Sequence, residues 1–305
     1  MKKIKEFLKK QDERMQDPEY VKKLYKRSQY EILAIFILFT LLFYFNYNYT
    51  VFKIKTSTEY IYGDTLEALS QKHLNKPFSI RDFDALTIGV YSESLKKEDK
   101  YFQLFKRGEF SGELKDMENI GKDTRVEKDE NGNGLITFTL FTSAAMKNVK
   151  RNIKTLDGCD KIIIDLRGNT GGMVGTAEKM ASLFIGKGDT IYSYATKKKY
   201  RIVKNKKDPV LSPKSIIILQ DKYTASASEL FIMALKENLD NVTVIGTQSY
   251  GKGIGQNEYY LADGYAFKFT AMKMFTPSGA SINGTGIAPD IKYDKEDMLE
   301  YAKKL

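Results

Sequence analysis

The chain has 305 residues, of which 42% are hydrophobic and 12% aromatic, enough for one or two domains with a sizeable core. Its single cysteine, Cys159, excludes an intrachain disulfide and reads as a small core or edge residue. Its single histidine, His73, is remote from the motifs described below and argues against a Ser-His-Asp triad or a centre with several histidine ligands. The formal net charge of +10 favours anionic partners, but no helix-turn-helix, zinc or aromatic RNA-binding signature accompanies it, so nucleic acid is not an expected partner.

Residues 1–31 are basic, with Lys2, Lys3, Lys5, Lys9, Lys10, Arg14, Lys22, Lys23, Lys26 and Arg27 outnumbering the acids. From Ile32 to Phe45 the chain is apolar and uncharged, and counted on to Val51 the run approaches the about 20 residues that span a bilayer. Tyr47 and Tyr49 suit the interface. The polar flanks argue against a buried core helix. The long basic lead, with no small-residue cleavage site after the apolar run, argues against a removed signal peptide. The expectation is an uncleaved transmembrane anchor over 32–51 behind a basic cytoplasmic tail over 1–31, which attracts anionic membrane lipid. The remainder then lies outside the cytoplasm, although Lys53 and Lys55 count against that orientation.

Residues 52–130 form an N-terminal helical and linker region that says least. Asp64–Lys72 is compatible with a helix, and 95–110 mixes charge with aromatics. Asp129-Glu130-Asn131-Gly132-Asn133-Gly134 matches the front half of a calcium loop, but its twelfth position is Leu140 and a strand-like stretch follows, so a turn is expected. From Leu135 the pattern is α/β. Leu135–Phe141 is strand-like, Ala144–Leu156 an amphipathic helix, Ile162–Leu166 a strand and Gly175–Phe184 a helix. The basic stretch Thr190–Lys206 reads as a strand plus an exposed loop. Ile216–Leu219 and Val242–Ile245 are buried strands, Leu230–Leu239 a buried helix apolar on nearly every face, Tyr265–Thr276 an alternating strand and Glu296–Leu305 a terminal helix. Strands alternating with helices imply a sheet layered with covering helices.

Two motifs carry chemistry. Thr224-Ala225-Ser226-Ala227-Ser228-Glu229 joins a strand to the apolar helix and places a hydroxyl beside unpaired helix-start N–H groups. Alone, Ser226 and Glu229 make an ordinary capping box. Gly251-Lys252-Gly253 places an amine in a glycine-bracketed loop after a strand. Gly246 to Lys252 also fits most of a phosphate loop, but Gly253 replaces the magnesium-holding Ser/Thr and Ile254–Tyr260 does not read as the required helix.

These motifs occur with Asp165-Leu166-Arg167-Gly168-Asn169-Thr170-Gly171-Gly172, with Phe275-Thr276-Pro277-Ser278-Gly279 and with Gly284-Thr285-Gly286-Ile287-Ala288-Pro289-Asp290. In this order they resemble the carboxyl-terminal processing peptidases, serine peptidases with a Ser-Lys dyad on a crotonase-like fold. The likeness covers about residues 132–292 and assigns a peptidase domain to 131–305. It implies Ser226 as nucleophile, Lys252 as general base and Gln256 as the residue that orients the lysine. Ala227 N–H and an N–H of Gly171 or Gly172 would form the oxyanion hole. Substrates are then proteins or peptides, and no metal or cofactor is required. The family's peptide-binding PDZ domain follows a segment like Asp99-Lys100-Tyr101-Phe102; here the stretch between Phe110 and Gly134 is too short for one. A different function on the same fold is an inactive, membrane-tethered module that binds peptides or another ligand.

Overall fold

The computed structural model describes residues 13–55, 95–260 and 264–305, together with residues 6, 9, 92 and 93. They fall into two compact units, Met1–Val90 and Tyr91–Leu305. Asp64–Lys72 and His73 lie outside the described residues.

The first unit contains one long helix, α1 (Pro18–Lys55). Pro18 suits the first helical position, and the Asp17 carboxylate just before it accepts the Glu19 N–H at 2.9 Å. The helix begins well before the apolar run, because charged residues such as Arg27 and Glu31 are good helix formers and pair at i,i+4 (3.0 Å). Within it, Pro18–Asn46 is long and apolar enough to cross a membrane. Every side chain from Ile32 to Phe45 is exposed, Phe39 at 74%.

The second unit holds two sheets. Its strands are β1 (Gln103–Phe105), β2 (Arg125–Lys128), β3 (Gly134–Thr137), β4 (Lys161–Asp165), β5 (Thr190–Ala195), β6 (Tyr200–Lys204), β7 (Ser215–Gln220), β8 (Val242–Gly246), β9 (Ile254–Tyr260), β10 (Ala266–Phe275) and β11 (Ile291–Lys292). Its longer helices are α2 (Glu109–Gly121), α3 (Ser143–Asn152), α4 (Val174–Ala181), α5 (Ala227–Asn238) and α6 (Met298–Lys304). The larger sheet runs β11-β8-β7-β4-β3-β2 and is parallel except where β2 pairs antiparallel with β3. The other runs β1-β10-β5-β6, with β9 also on β10, all antiparallel.

The unbroken apolar runs of β4 and β7 follow from burial on both faces. Ile162, Ile164, Ile216 and Ile218 point into the main core, which takes in α3, α4, α5 and parts of β5 and β10. Ile163, Ile217 and Leu219 point the other way, against Met298 and Ala302 of α6. Phe231 of α5 is fully buried between Phe141 and Phe184.

Several elements differ from the sequence reading. The strand expected over 135–141 ends at Thr137, since the chain must turn there into α3, whose N-cap Thr142 accepts the Ala145 N–H at 3.1 Å. Thr190–Lys206 is a two-stranded hairpin rather than a strand and a loop. Glu109–Gly121, in the charged stretch that offered no sequence signal, is a helix with Phe110 buried on Phe105. The calcium-like segment is a turn: the Asp129 carboxylate accepts from Asn131 N, Asn133 N and Asn133 Nδ2. Burial would raise the Asp129 pKa, but these bonds outweigh it and hold the carboxyl below its ordinary value.

Candidate active site

The segments that the sequence singles out leave the carboxyl ends of adjacent parallel strands. Residues 166–173 follow β4, 221–226 follow β7 and 247–253 follow β8, and register keeps Asp165, Leu219 and Ile245 level. Ligands collect at this end of such sheets. The loops are stitched together: Thr224 Oγ1 donates to the Leu166 carbonyl (2.8 Å), Ala225 N to Asn169 O (3.0 Å) and Tyr250 N to Thr224 O (2.9 Å).

Ser226 precedes α5 with φ 57° and ψ −115°, and among the described residues it is the one non-glycine with positive φ. An ordinary N-cap sits in the extended region, as Thr142 does at φ −122° and ψ 167°. The capping-box pairing with Glu229 is present, yet capping does not require this backbone, which costs a non-glycine residue about 1–3 kcal/mol. Such strain persists where surrounding structure fixes it, and Glu229 does so here. Fully buried, Glu229 accepts from Ser226 N (2.8 Å) and Lys252 N (2.9 Å) through Oε2, and from Gly251 N (2.7 Å) and Ser249 Oγ (2.5 Å) through Oε1. One carboxylate thus ties the serine turn to the lysine loop. The sequence signalled only the cap.

Gly171 and Gly172 differ in a way that composition hides. At φ +107°, a Cβ on Gly171 would lie 2.8 Å from Ala225 O and 2.9 Å from Ser226 Cβ, so only glycine allows this approach. The Gly171 N–H is already donated to Asn169 Oδ1 at 3.0 Å. The same buried Asn169 receives the Ser228 hydroxyl at Oδ1 (2.8 Å) and at its carbonyl (3.0 Å), so Ser228 faces away from the cavity as a structural residue. Gly172 joins Ser226 in the cavity lining.

That cavity has a volume of about 650 Å³; Leu140, Met173, Tyr194 and Met272 line its apolar part. Ser226, Lys252 and Gln256 all open onto it. Lys252 Nζ donates to Gln256 Oε1 at 2.8 Å; among the described residues no hydrogen bond joins it to Ser226 Oγ. Burial lowers the Lys252 pKa, the Lys268 charge lowers it further, and Asp99 acts in opposition. Gly251, at φ +86°, passes so close to Thr285 and Gly286 that a Cβ would meet backbone at 2.8 Å. After Lys252 comes strand β9, not the helix that a phosphate loop needs.

The family model "Peptidase family S41" matches residues 132–293. A protein of Staphylococcus aureus named "Probable CtpA-like serine protease" is 38% identical over 166 residues, covering 53% of this chain and 33% of its own length. Its namesake in Staphylococcus saprophyticus is 37% identical over 175 residues, with 56% and 35% covered. The chain therefore spans about a third of the length of the curated relatives it matches. Among solved structures, a lipoprotein from Streptococcus agalactiae shares the fold at a TM-score of 0.58 and 19% identity, with 82% of this chain and 88% of that one covered. With the family model spanning more than half of its residues, the chain belongs to peptidase family S41, whose C-terminal processing members its motifs resemble.

Proposed function

We propose that the protein is a membrane-anchored serine endopeptidase that cleaves extracytoplasmic proteins, with Ser226 as nucleophile and Lys252 as general base. The observation that carries this reading is the strained Ser226 at a helix start, sharing one cavity with a lysine whose pKa burial depresses. The relatives' name, serine protease, supports the same activity. We read the paired sheets as the crotonase-like arrangement of the family.

In the proposed reaction Ser226 Oγ attacks the substrate carbonyl and passes its proton to neutral Lys252 Nζ. Apo geometry tightens when substrate fills the site, so the missing direct hydrogen bond is compatible with this transfer. Ala227 N–H, at the first turn of α5, stabilises the oxyanion together with the Gly172 N–H. Gly172 is preferred to Gly171 because the Gly171 N–H is committed to Asn169. The lysine then protonates the leaving amine, the peptide bond breaks, and water releases the acyl group from Ser226. Gln256 orients the amine throughout. Helix α1 anchors the chain, its basic lead on the cytoplasmic side with anionic lipid.

The test is casein turnover and fluorophosphonate labelling by the full chain in detergent. Wild type should label at Ser226. Ser226→Ala and Lys252→Arg should each lose turnover by a factor on the order of 10⁴ or more, since a guanidinium stays protonated and accepts no proton. Substantial activity in Lys252→Arg overturns the reading.

A further inference from the structure

Lys252 is held from a direction that neither chemical motif contains. Its partner Gln256 donates through Nε2 to the backbone carbonyl of Tyr101 at 2.9 Å. With the amide NH₂ committed there, Oε1 is the end that faces Nζ. The Tyr101 ring centroid lies 4.8 Å from the same Nζ. One carboxylate pins this segment: Asp99 Oδ1 accepts from Tyr101 N (3.0 Å) and Thr270 Oγ1 (2.8 Å), and Oδ2 accepts from Thr270 N (2.7 Å). Thr270 on β10 sits directly across from Gln256 on β9. Behind it, Phe102 donates its N–H to the Asp99 carbonyl (2.9 Å) and stacks its buried ring on Phe267. The whole segment precedes the residues that the family model matches.

We propose that Asp99, with the Tyr101 it holds, is a positioning residue for Lys252: it places the carbonyl that orients Gln256 and brings a carboxylate and an aromatic face to the amine. This inference rests on the Ser226–Lys252 reading. The step it serves is proton transfer from Ser226 Oγ to Nζ and on to the leaving amine. A base depressed too far accepts the first proton poorly, so the amine needs a counterweight to burial. Asp99 supplies one, because burial would raise its own pKa but the bonds from Thr270 and Tyr101 and the Lys252 charge hold it below the ordinary carboxylate value. The Tyr101 face acts in the same sense, since a ring face favours the ammonium. Against them stands Lys268 on β10, itself paired with Glu113 of α2 at 2.7 Å. Lys100 Nζ lies 4.8 Å from the Tyr101 ring centroid as well, Glu258 on β9, Glu178, Tyr192 and Tyr194 line the same cavity, and the Glu229 carboxylate takes the Lys252 backbone N–H.

The test is a set of pH profiles of kcat and KM for the full chain in detergent, with wild type, Asp99→Asn, Tyr101→Leu and Lys252→Arg. Removing the Asp99 charge makes the ammonium less favourable, so the activity rise should move to lower pH. Asn also loses an acceptor facing Thr270 N–H, so kcat at the optimum should fall about 10- to 100-fold through misplacement of the base, with KM little changed. Tyr101→Leu keeps the carbonyl and loses the ring, so it should shift the rise in the same direction with a smaller loss of kcat. A purely structural role would lower kcat without moving the profile. An unmoved or upward-moved rise in Asp99→Asn overturns the proposal, and if that variant does not fold, the Tyr101→Leu profile decides in the same way. A dead Lys252→Arg beside an unmoved Asp99→Asn defeats this inference alone, whereas an active Lys252→Arg defeats the Ser-Lys reading beneath it.

Discussion

Ser226 is the residue where local preference and tertiary demand conflict most openly. Its φ of 57° with ψ of −115° suits glycine, which has no Cβ to clash. Ser226→Gly should therefore abolish turnover yet raise stability by about 1 kcal/mol, or about 2–4 °C in Tm for a domain of this size. Thermal unfolding of the two proteins checks this; a lower Tm for the variant would mean the serine backbone is relaxed. The neighbouring Ser228 separates structure from chemistry. Its buried hydroxyl donates to Asn169, so Ser228→Ala should cost about 1–2 kcal/mol and leave kcat within a fewfold of wild type. Chemical denaturation and turnover, measured on the same preparation, distinguish the two effects.

At the scale of elements, α2 and β10 form the wall of the cavity opposite the parallel sheet's loops. Helix α2 is held at two points: Glu118 accepts from Ser143 N (3.0 Å) and Ala144 N (2.8 Å) at the start of α3, and Glu113 pairs with Lys268 of β10. The Glu118 contact suits an acid at a helix N-terminus, where unpaired N–H groups concentrate. Lys268 has a second effect, since its charge depresses the Lys252 pKa. Lys268→Met should therefore raise that pKa and move the activity rise to higher pH, opposite in sign to Asp99→Asn. A pH–rate profile reads the direction; a shift downward would mean that the loss of α2 docking dominates. The hairpin of β5 and β6 forms the outer edge of the same sheet. Arg201 on the edge strand β6 is exposed, as are Lys197, Lys198 and Lys199 in the turn before it, and such charge discourages pairing with another chain.

For the whole molecule, the expectation concerns the first unit. The exposed Ile32–Phe45 face of α1 has no covering partner among the described residues, and an exposed apolar surface of that length is tolerated in lipid. The full chain should stay with membranes through alkaline carbonate washing and need detergent for release. Protease added to intact spheroplasts should reach the second unit. Release by carbonate argues against a span, and protection of the second unit argues against the orientation.

The sequence by itself determined the alternation of strands and helices, the buried strands β4, β7 and β8, the apolar helix α5, the long apolar N-terminal run, and the family. These are legible because periodicity and unbroken apolar runs are local consequences of being buried on one face or two. It missed α2, whose fit depends on Phe105, α3 and β10, none of them readable from a charged thirteen-residue segment. It also left Gly171 and Gly172 equivalent, and the Asn169 side chain, fixed by the Phe138 carbonyl and the Ser228 hydroxyl, commits the Gly171 N–H. Glu229 looked like a cap and is a hub, because Ser249, Gly251 and Lys252 reach it from another strand end. Asp99 and Tyr101 were noticed only as part of the segment that a PDZ domain follows in the family, with no role at the site, since their partners Thr270, Gln256 and Lys252 are more than a hundred residues away. A hydrogen bond between distant segments leaves no period in the chain. Only the closing of β9 onto β10 brings those groups together around Lys252.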